Sequence, residues 1–375
     1  MKQPHPLFSS MVYVLDYLYK TAIALPQDLI SELHLRSHRN NKDQHKKILG
    51  YWDFNQRLAK TGDFIVFLEV LNVLQLKFGL SQEHKNVDIC FIDDATHYNS
   101  TFQPYHKSYV FKKTIKTLPL LHPHLDSVFL FNSNKEFERF YRQNQGRYIR
   151  WPPTISGSIP SDCRIIEKHF AKNGSIPLLS INQDIREIIG KFYEKEVYPA
   201  HPVVLNIRNH AEHTPERNSN LRELKKFLQA YEADQKYKFI VICSKEEMPA
   251  EFQGLSNVLF SKNYFEGIEY DLALIKTSYL SIFPDSGMAT FAYFSGVPFI
   301  QHGLPCSKKL HRHMAPLNGK GFNFLSEQQR RFNTKETTPQ LLQEFESLTA
   351  YLEQKELREE ENIRLAPPTK SSKMH

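Results

Sequence analysis

Asp285, Ser286 and Gly287 stand between two apolar runs in FPDSGMATFAYFSGVPFIQHG, residues 283–303. An acid, a hydroxyl and a glycine at such a place make a tight strand-to-helix turn, with Asp or Ser as N-cap. The same turn points the backbone N–H groups of Ser286, Gly287 and Met288 out of a helix start, where they could seat a phosphate. A second polar group follows the apolar run PVVLNIR: Arg208, Asn209, His210, Glu212, His213, Arg217, Asn218 and Ser219. Arg208 and Arg217 offer planar forks matched to phosphate oxygens, while Asn218, Ser219 or Asn220 caps the helix that starts near Leu221. Ser244 and Glu246 come after YKFIVICS, where a ribose or base would lie in a nucleotide-binding half. A solvated turn accounts for those two equally well.

Asp63, in AKTGDF, opens the apolar segment 64–80 and reads either as a helix cap or as a general base for an acceptor hydroxyl. Asp94 and His97, just after VDICFID, are reserve candidates, as is His210. There is no Gly-Lys-Ser/Thr phosphate loop, no HExxH, no CxxC pair, no GxSxG and no GxGxxG after a strand. Cys90, Cys163, Cys243 and Cys306 are not at metal-ligand spacing, so neither a metal nor another cofactor is expected.

The elements that must position these residues are legible as alternation. KILGYWDF, VDICFID, SVFLFN and RYIRWPP read as strands, with helices over 62–80 and 135–146 between them. Residues 152–182 read as loop, and 181–198 as a helix. Beyond it, PVVLNIR, YKFIVICS, SNVLFS, YLSIFP and VPFIQHG give five strands separated by helical segments. Strand–helix alternation implies parallel sheets covered on both faces, with ligands at the carboxyl ends of the strands. The expected domains are a helical N-terminal extension (1–45), a Rossmann-like acceptor domain (46–198), a Rossmann-like donor-nucleotide domain (199–305) and a C-terminal helical segment and tail (306–375). The charged stretch from 334 reads as a solvated surface helix.

The chain of 375 residues suits two domains, and 41% hydrophobic with 24% charged residues describes a globular protein. The net charge of +7 fits an anionic partner, but the basic residues are not interleaved with aromatics in one stripe, so nucleic acid is not expected. Residues 7–25 are interrupted by Asp16 and Lys20 and read as an amphipathic helix packed on the body rather than a membrane span. A second reading, aided by the basic stretch 34–47, is peripheral membrane contact through residues 7–47. No secretory signal fits the first residues, and a cytoplasmic location, peripheral on the inner face of the cytoplasmic membrane in the second reading, is expected.

Two separated motifs fit one family. TGDFIVFLEVLNVLQLKFG resembles the Gly-Asp loop and first helix of heptosyltransferase-type (family 9) glycosyltransferases, and PDSGMATFAYFSGVPFIQHG resembles their second-domain signature. The resemblance implies a GT-B fold, an α/β architecture of two Rossmann-like doubly wound domains facing a central cleft. It also implies inverting, metal-independent transfer of a sugar from a nucleotide-diphosphate donor to a glycan or lipid-linked acceptor, as in bacterial surface polysaccharide synthesis. By the same resemblance Asp63 is the base, Ser286, Gly287 and Met288 seat the donor diphosphate, and Arg217 is the basic side chain of the donor loop. Thr290 stands where the family keeps a histidine, Glu69 lies near the replaced helix proline, and the loop between Phe54 and Gly62 is longer. A sugar-nucleotide epimerase of the same fold and a non-catalytic GT-B-like scaffold are the alternatives.

Overall fold

The computed structural model describes residues 33, 46–54, 61–93, 117–153, 163–209, 215–303 and 322–365, with side chains to 358. The expected N-terminal helix over 7–25, Asp94, His97 and His210 lie outside the described residues. The chain divides into two compact units, Met1–Ser180 and Ile181–His375. Among the described residues no helix is long and apolar enough to cross a membrane.

In the first unit β1 (Lys47–Asp53), β2 (Val87–Ile92), β3 (Leu125–Phe131) and β4 (Tyr148–Trp151) form a parallel sheet in the order β3-β2-β1-β4. Side chains alternate between its faces. Leu49, Tyr51, Cys90 and Ile92 surround Phe137 of α2 (Asn134–Asn144). Trp52 points the other way, onto Phe64 and Phe67 of α1 (Thr61–Lys77), with ring centroids 5.1 and 5.4 Å apart. Gly50 permits this approach, because a Cβ there would lie 2.5 Å from Leu71 of the helix. The stretch read as loop contains a further helix, α3 (Cys163–Asn173), which buries Cys163 and Ile166. Pro160 and Gly174 masked it by marking its two flanks rather than its interior.

Two of the three buried carboxyl groups described in this unit, Asp88 and Glu69, have different surroundings. Asp88, 1% exposed, accepts from Tyr148 Oη at 2.8 Å and from Ser127 N at 3.1 Å and faces Lys47 Nζ at 3.4 Å. Its charge is fully met, as a buried carboxylate requires. Glu69 lies inside α1 with only Asn72 Nδ2, 3.4 Å away, as a donor, and no hydrogen-bond partner for Oε1 among the described residues. Burial therefore pushes its carboxyl well above the usual range near 4.5. The folded protein keeps a proton that the unfolded chain releases above that value, so stability falls as pH rises from there toward neutral. Glu69→Gln is expected to match the wild type near pH 4 and to exceed it increasingly toward pH 8, by up to about 1.4 kcal/mol per pH unit. Denaturant melts of both proteins across that range check this.

In the second unit six parallel strands run in the order β10-β9-β8-β5-β6-β7. They are β5 (His201–Asn206), β6 (Tyr237–Ile242), β7 (Val258–Phe260), β8 (Leu280–Phe283), β9 (Phe299–His302) and β10 (Gln329–Phe332). The helices are α4 (Gln183–Glu196), α5 (Leu221–Ala230), α6 (Ile268–Thr277), α7 (Gly287–Tyr293) and α8 (Thr338–Leu365). The chain builds outward from β5 through β6 to β7, then returns to the other side of β5 with β8. The strand order thus reverses between β5 and β8, the place where open α/β sheets bind ligands.

Three expectations are corrected here. The helix over 181–198 belongs to the second unit, not the first: Tyr193 Oη donates to Leu274 O of α6 at 3.2 Å and accepts from Thr277 Oγ1 at 3.3 Å. The sheet has a sixth strand, because QRRF, short and charged, pairs with β9 at an edge. The helix from Thr338 is not a solvated surface helix. Its Leu341, Phe345, Leu348 and Leu352 lie in one core with Val203, Phe227 and Phe239. The apolar stripe is a narrow one at helical spacing, diluted by the charges around it.

Candidate functional site

The reversal point is fastened by one amide. Asn206, 5% exposed at the end of β5, donates from Nδ2 to Ile242 O at 3.1 Å, and its Oδ1 accepts from Ser286 Oγ at 2.7 Å. Ser286 is also the N-cap of α7, accepting from Ala289 N at 3.4 Å. The turn after β8 is thus both a capped strand-to-helix connection and a link across the sheet to β5.

The next residues leave β5 as a braced loop. Arg208 N donates to Ser219 Oγ at 3.1 Å, and Ser219 N returns a bond to Arg208 O at 2.8 Å. Asn209 N donates to Glu247 Oε1 at 3.0 Å, and the other oxygen of Glu247 accepts from Ser244 N at 3.4 Å. Glu247 therefore ties the loops after β5 and β6 together and closes a capping box with Ser244. Glu246, singled out from sequence, is exposed. The cap of α5 also differs from expectation: Asn220 occupies the N-cap position without a side-chain bond, and its own N–H donates to Glu336 Oε1 at 2.6 Å.

Arg217 reaches from this loop to the turn after β8. Its NH2 group donates to Asp285 O at 2.8 Å, and its Nε lies 3.0 Å from Asp285 Oδ2. Arg208 stands close enough that, after burial, the Arg217 charge is the main influence lowering its affinity for a proton. Two guanidinium groups thus share one locality, where the Asp285 carboxylate pairs with Arg217 and, with Glu247 and Glu216, acts on the charge of Arg208. Gly303 packs against that carboxylate's backbone: a Cβ at Gly303 would lie 3.1 Å from Asp285 Cβ.

Arg208, Arg217, Asp285 and Ser286 come together, with the half-buried Gly287 and Met288 beginning α7. Asn209 and Ser244 are joined to them through Glu247, and Asn218 sits in the loop turn, its N–H bonded to Pro215 O at 3.0 Å. Thr290 is 4% exposed and enclosed within the unit. Asp63 belongs to the first unit, half-buried in the first turn of α1 rather than at its N-cap, where a negative charge meets the positive end of the helix.

Sequence reasoning passed over Asn206, Glu247 and His302, and read Ser219 only as a candidate cap. His302 ends β9, is 1% exposed, and neither ring nitrogen has a hydrogen-bond partner of normal geometry among the described residues. Burial depresses its pKa to about 4, so the ring is neutral at pH 7. It lines a cavity of about 10 Å³ with Asn206, Ser219 and Glu336, room for a single water. Among the described residues no group of three or more His, Cys, Asp or Glu side chains could hold a metal ion.

Neither a family model nor a curated protein matches the chain. Solved structures do. The chain is similar to a family 9 glycosyl transferase from Veillonella parvula, with TM-score 0.49, 14% identity, and 81% of this chain and 89% of that one covered. It is similar to the E. coli ADP-heptose lipopolysaccharide heptosyltransferase II, with TM-score 0.49, 12% identity, and 83% and 99% covered. It is also similar to the fucosyltransferase NodZ from Bradyrhizobium, with TM-score 0.35, 14% identity, and 68% and 95% covered.

Asn206 is the testable centre of this geometry. Asn206→Leu removes both of its bonds and leaves Ile242 O and Ser286 Oγ without those partners, so a loss of about 1–3 kcal/mol in unfolding free energy is expected. Chemical denaturation of the variant beside the wild type measures it.

Proposed function

We propose that this protein is a glycosyltransferase that takes its sugar from a nucleotide-diphosphate donor. The observation that carries the reading is the gathering of Arg208 and Arg217 at the strand-order reversal of the second sheet, beside the turn that holds Asp285 and Ser286. The chemistry asks for such a site. As the acceptor oxygen forms its bond to the anomeric carbon, the bond from that carbon to the phosphate oxygen breaks, and its electron pair leaves with the diphosphate. Fixed guanidinium groups stabilise that developing charge. Helix α7 adds little, being only seven residues long, with the Ser286 hydroxyl already committed to Asn206 and Ala289. The arginines therefore provide the main share, and the reaction needs no metal to balance the leaving group.

In this reading Asp63 accepts the proton of the acceptor hydroxyl, and attack from the face opposite the diphosphate inverts the anomeric centre. The acceptor is a glycan or a lipid-linked glycan of the kind assembled into bacterial surface polysaccharide. Asp63→Asn is expected to lower kcat at least about a hundredfold while leaving nucleotide affinity unchanged. Near-wild-type turnover in that variant removes Asp63 from the reaction.

Thermal-shift measurements with UDP, GDP, ADP, CMP and TDP, with and without EDTA, test the donor site. A rise in Tm with one diphosphate, unaffected by EDTA and largely lost in Arg217→Ala, is expected. No shift with any of them rejects the donor reading and leaves the turn a purely structural connection. Consumption of a nucleotide-sugar without any acceptor would instead indicate an epimerase.

A further inference from the structure

The two contacts between Arg217 and Asp285 are of different kinds. The NH2 group is held by the main-chain carbonyl at 2.8 Å, whereas Nε faces the carboxylate at 3.0 Å. The carbonyl is fixed by the fold: Asp285 lies two residues after the end of β8, and it packs against Gly303, the residue after β9. The carboxylate makes an ionic contact with the same guanidinium, 3.0 Å from Nε and without hydrogen-bond geometry. It covers the Nε edge of the fork, one of the edges that a bidentate phosphate uses. Arg217 is 33% exposed and Asp285 19%, so the pair is open to exchange with a dissolved anion.

We infer that the Asp285 carboxylate stands in for a ligand phosphate on the Nε edge of Arg217, and that a bound phosphate group displaces it. This rests on the phosphate-binding reading of Arg208 and Arg217 given above. In the empty protein the carboxylate offsets part of the repulsion between the two guanidinium groups. Binding then exchanges one anion for another at the same atoms, so the internal carboxylate competes with the ligand and weakens its apparent affinity. Asparagine at 285 keeps the backbone carbonyl and the side-chain volume but removes the competing charge.

The test is a double-mutant cycle by calorimetry at fixed ionic strength, with inorganic pyrophosphate and with whichever nucleoside diphosphate shifts the wild-type Tm. Asp285→Asn is expected to lower Kd about three- to tenfold, the range a partly exposed ion pair can supply. In an Arg217→Ala background the same substitution is expected to change Kd less than about twofold. Weaker or unchanged binding in Asp285→Asn, with the wild type binding normally, overturns the inference and leaves the donor site standing. An equal gain in the Arg217→Ala background also overturns it, because the effect would then be one of general charge. If wild type and both variants bind no phosphate ligand at all, the donor reading itself falls. Circular-dichroism melts, with Asp285→Ala as a second neutral variant, separate a change in affinity from a failure to fold.

Discussion

The carboxyl edge of the second sheet depends on one buried side chain that faces two ways. Asn206 presents a donor to β6 and an acceptor to the turn after β8, and it does so at the position where the strand order reverses. At such a position the two neighbouring loops diverge, one toward each face, and nothing in the ladder itself holds their ends together. A primary amide suits the task because it carries a donor and an acceptor on one rigid plane, without a charge that burial would penalise. With the loop ends fixed, the bonds of Ser219 and Glu247 brace the segment that carries Arg208, and Arg217 meets Asp285 across the gap.

A second constraint ties this edge to residues far along the chain. Glu336 accepts from the N–H of Asn220 at the start of α5, and Glu223 in that helix accepts from Thr338 N at 2.9 Å and Oγ1 at 2.7 Å at the start of α8. Helix α5 and the segment entering α8 thus satisfy each other's amino ends. Each carboxylate lies where the positive end of the opposite helix favours it, and Glu223 is held down to about 2, by Lys226 first and then by Thr338. Because α5 begins immediately after the Arg217 loop, the C-terminal helix helps to anchor that loop.

How far the sequence disclosed all this depended on range. The strands from Lys47 to His302 are apolar runs of the expected length, and their order implies parallel sheets. The polar residues in the connections that leave those strands, Arg208, Arg217, Asp285 and Ser286, are legible for that reason. Asn206 was hidden because its partner Ser286 lies 80 residues away, and Glu336 because Asn220 lies 116 away. Of two successive glutamates, the short 3₁₀ turn after Ser244 directs Glu247 inward and Glu246 outward, a choice invisible in composition. Charged edges misled as well: QRRF hides a strand, and the acidic and basic residues of α8 conceal the stripe that completes the core.

That completion has a temporal side. Val203 and Leu352 belong to one core, and β9 gains its outer neighbour only when residues 329–332 exist. The first sheet, whose last strand ends at Trp151, has no such debt to distant sequence. During synthesis the first unit can settle early, whereas the second must wait, with the apolar faces of Phe227 and Phe239 uncovered until the segment around Phe345 arrives. The interval between those events leaves apolar surface uncovered, the condition under which larger chains misassemble.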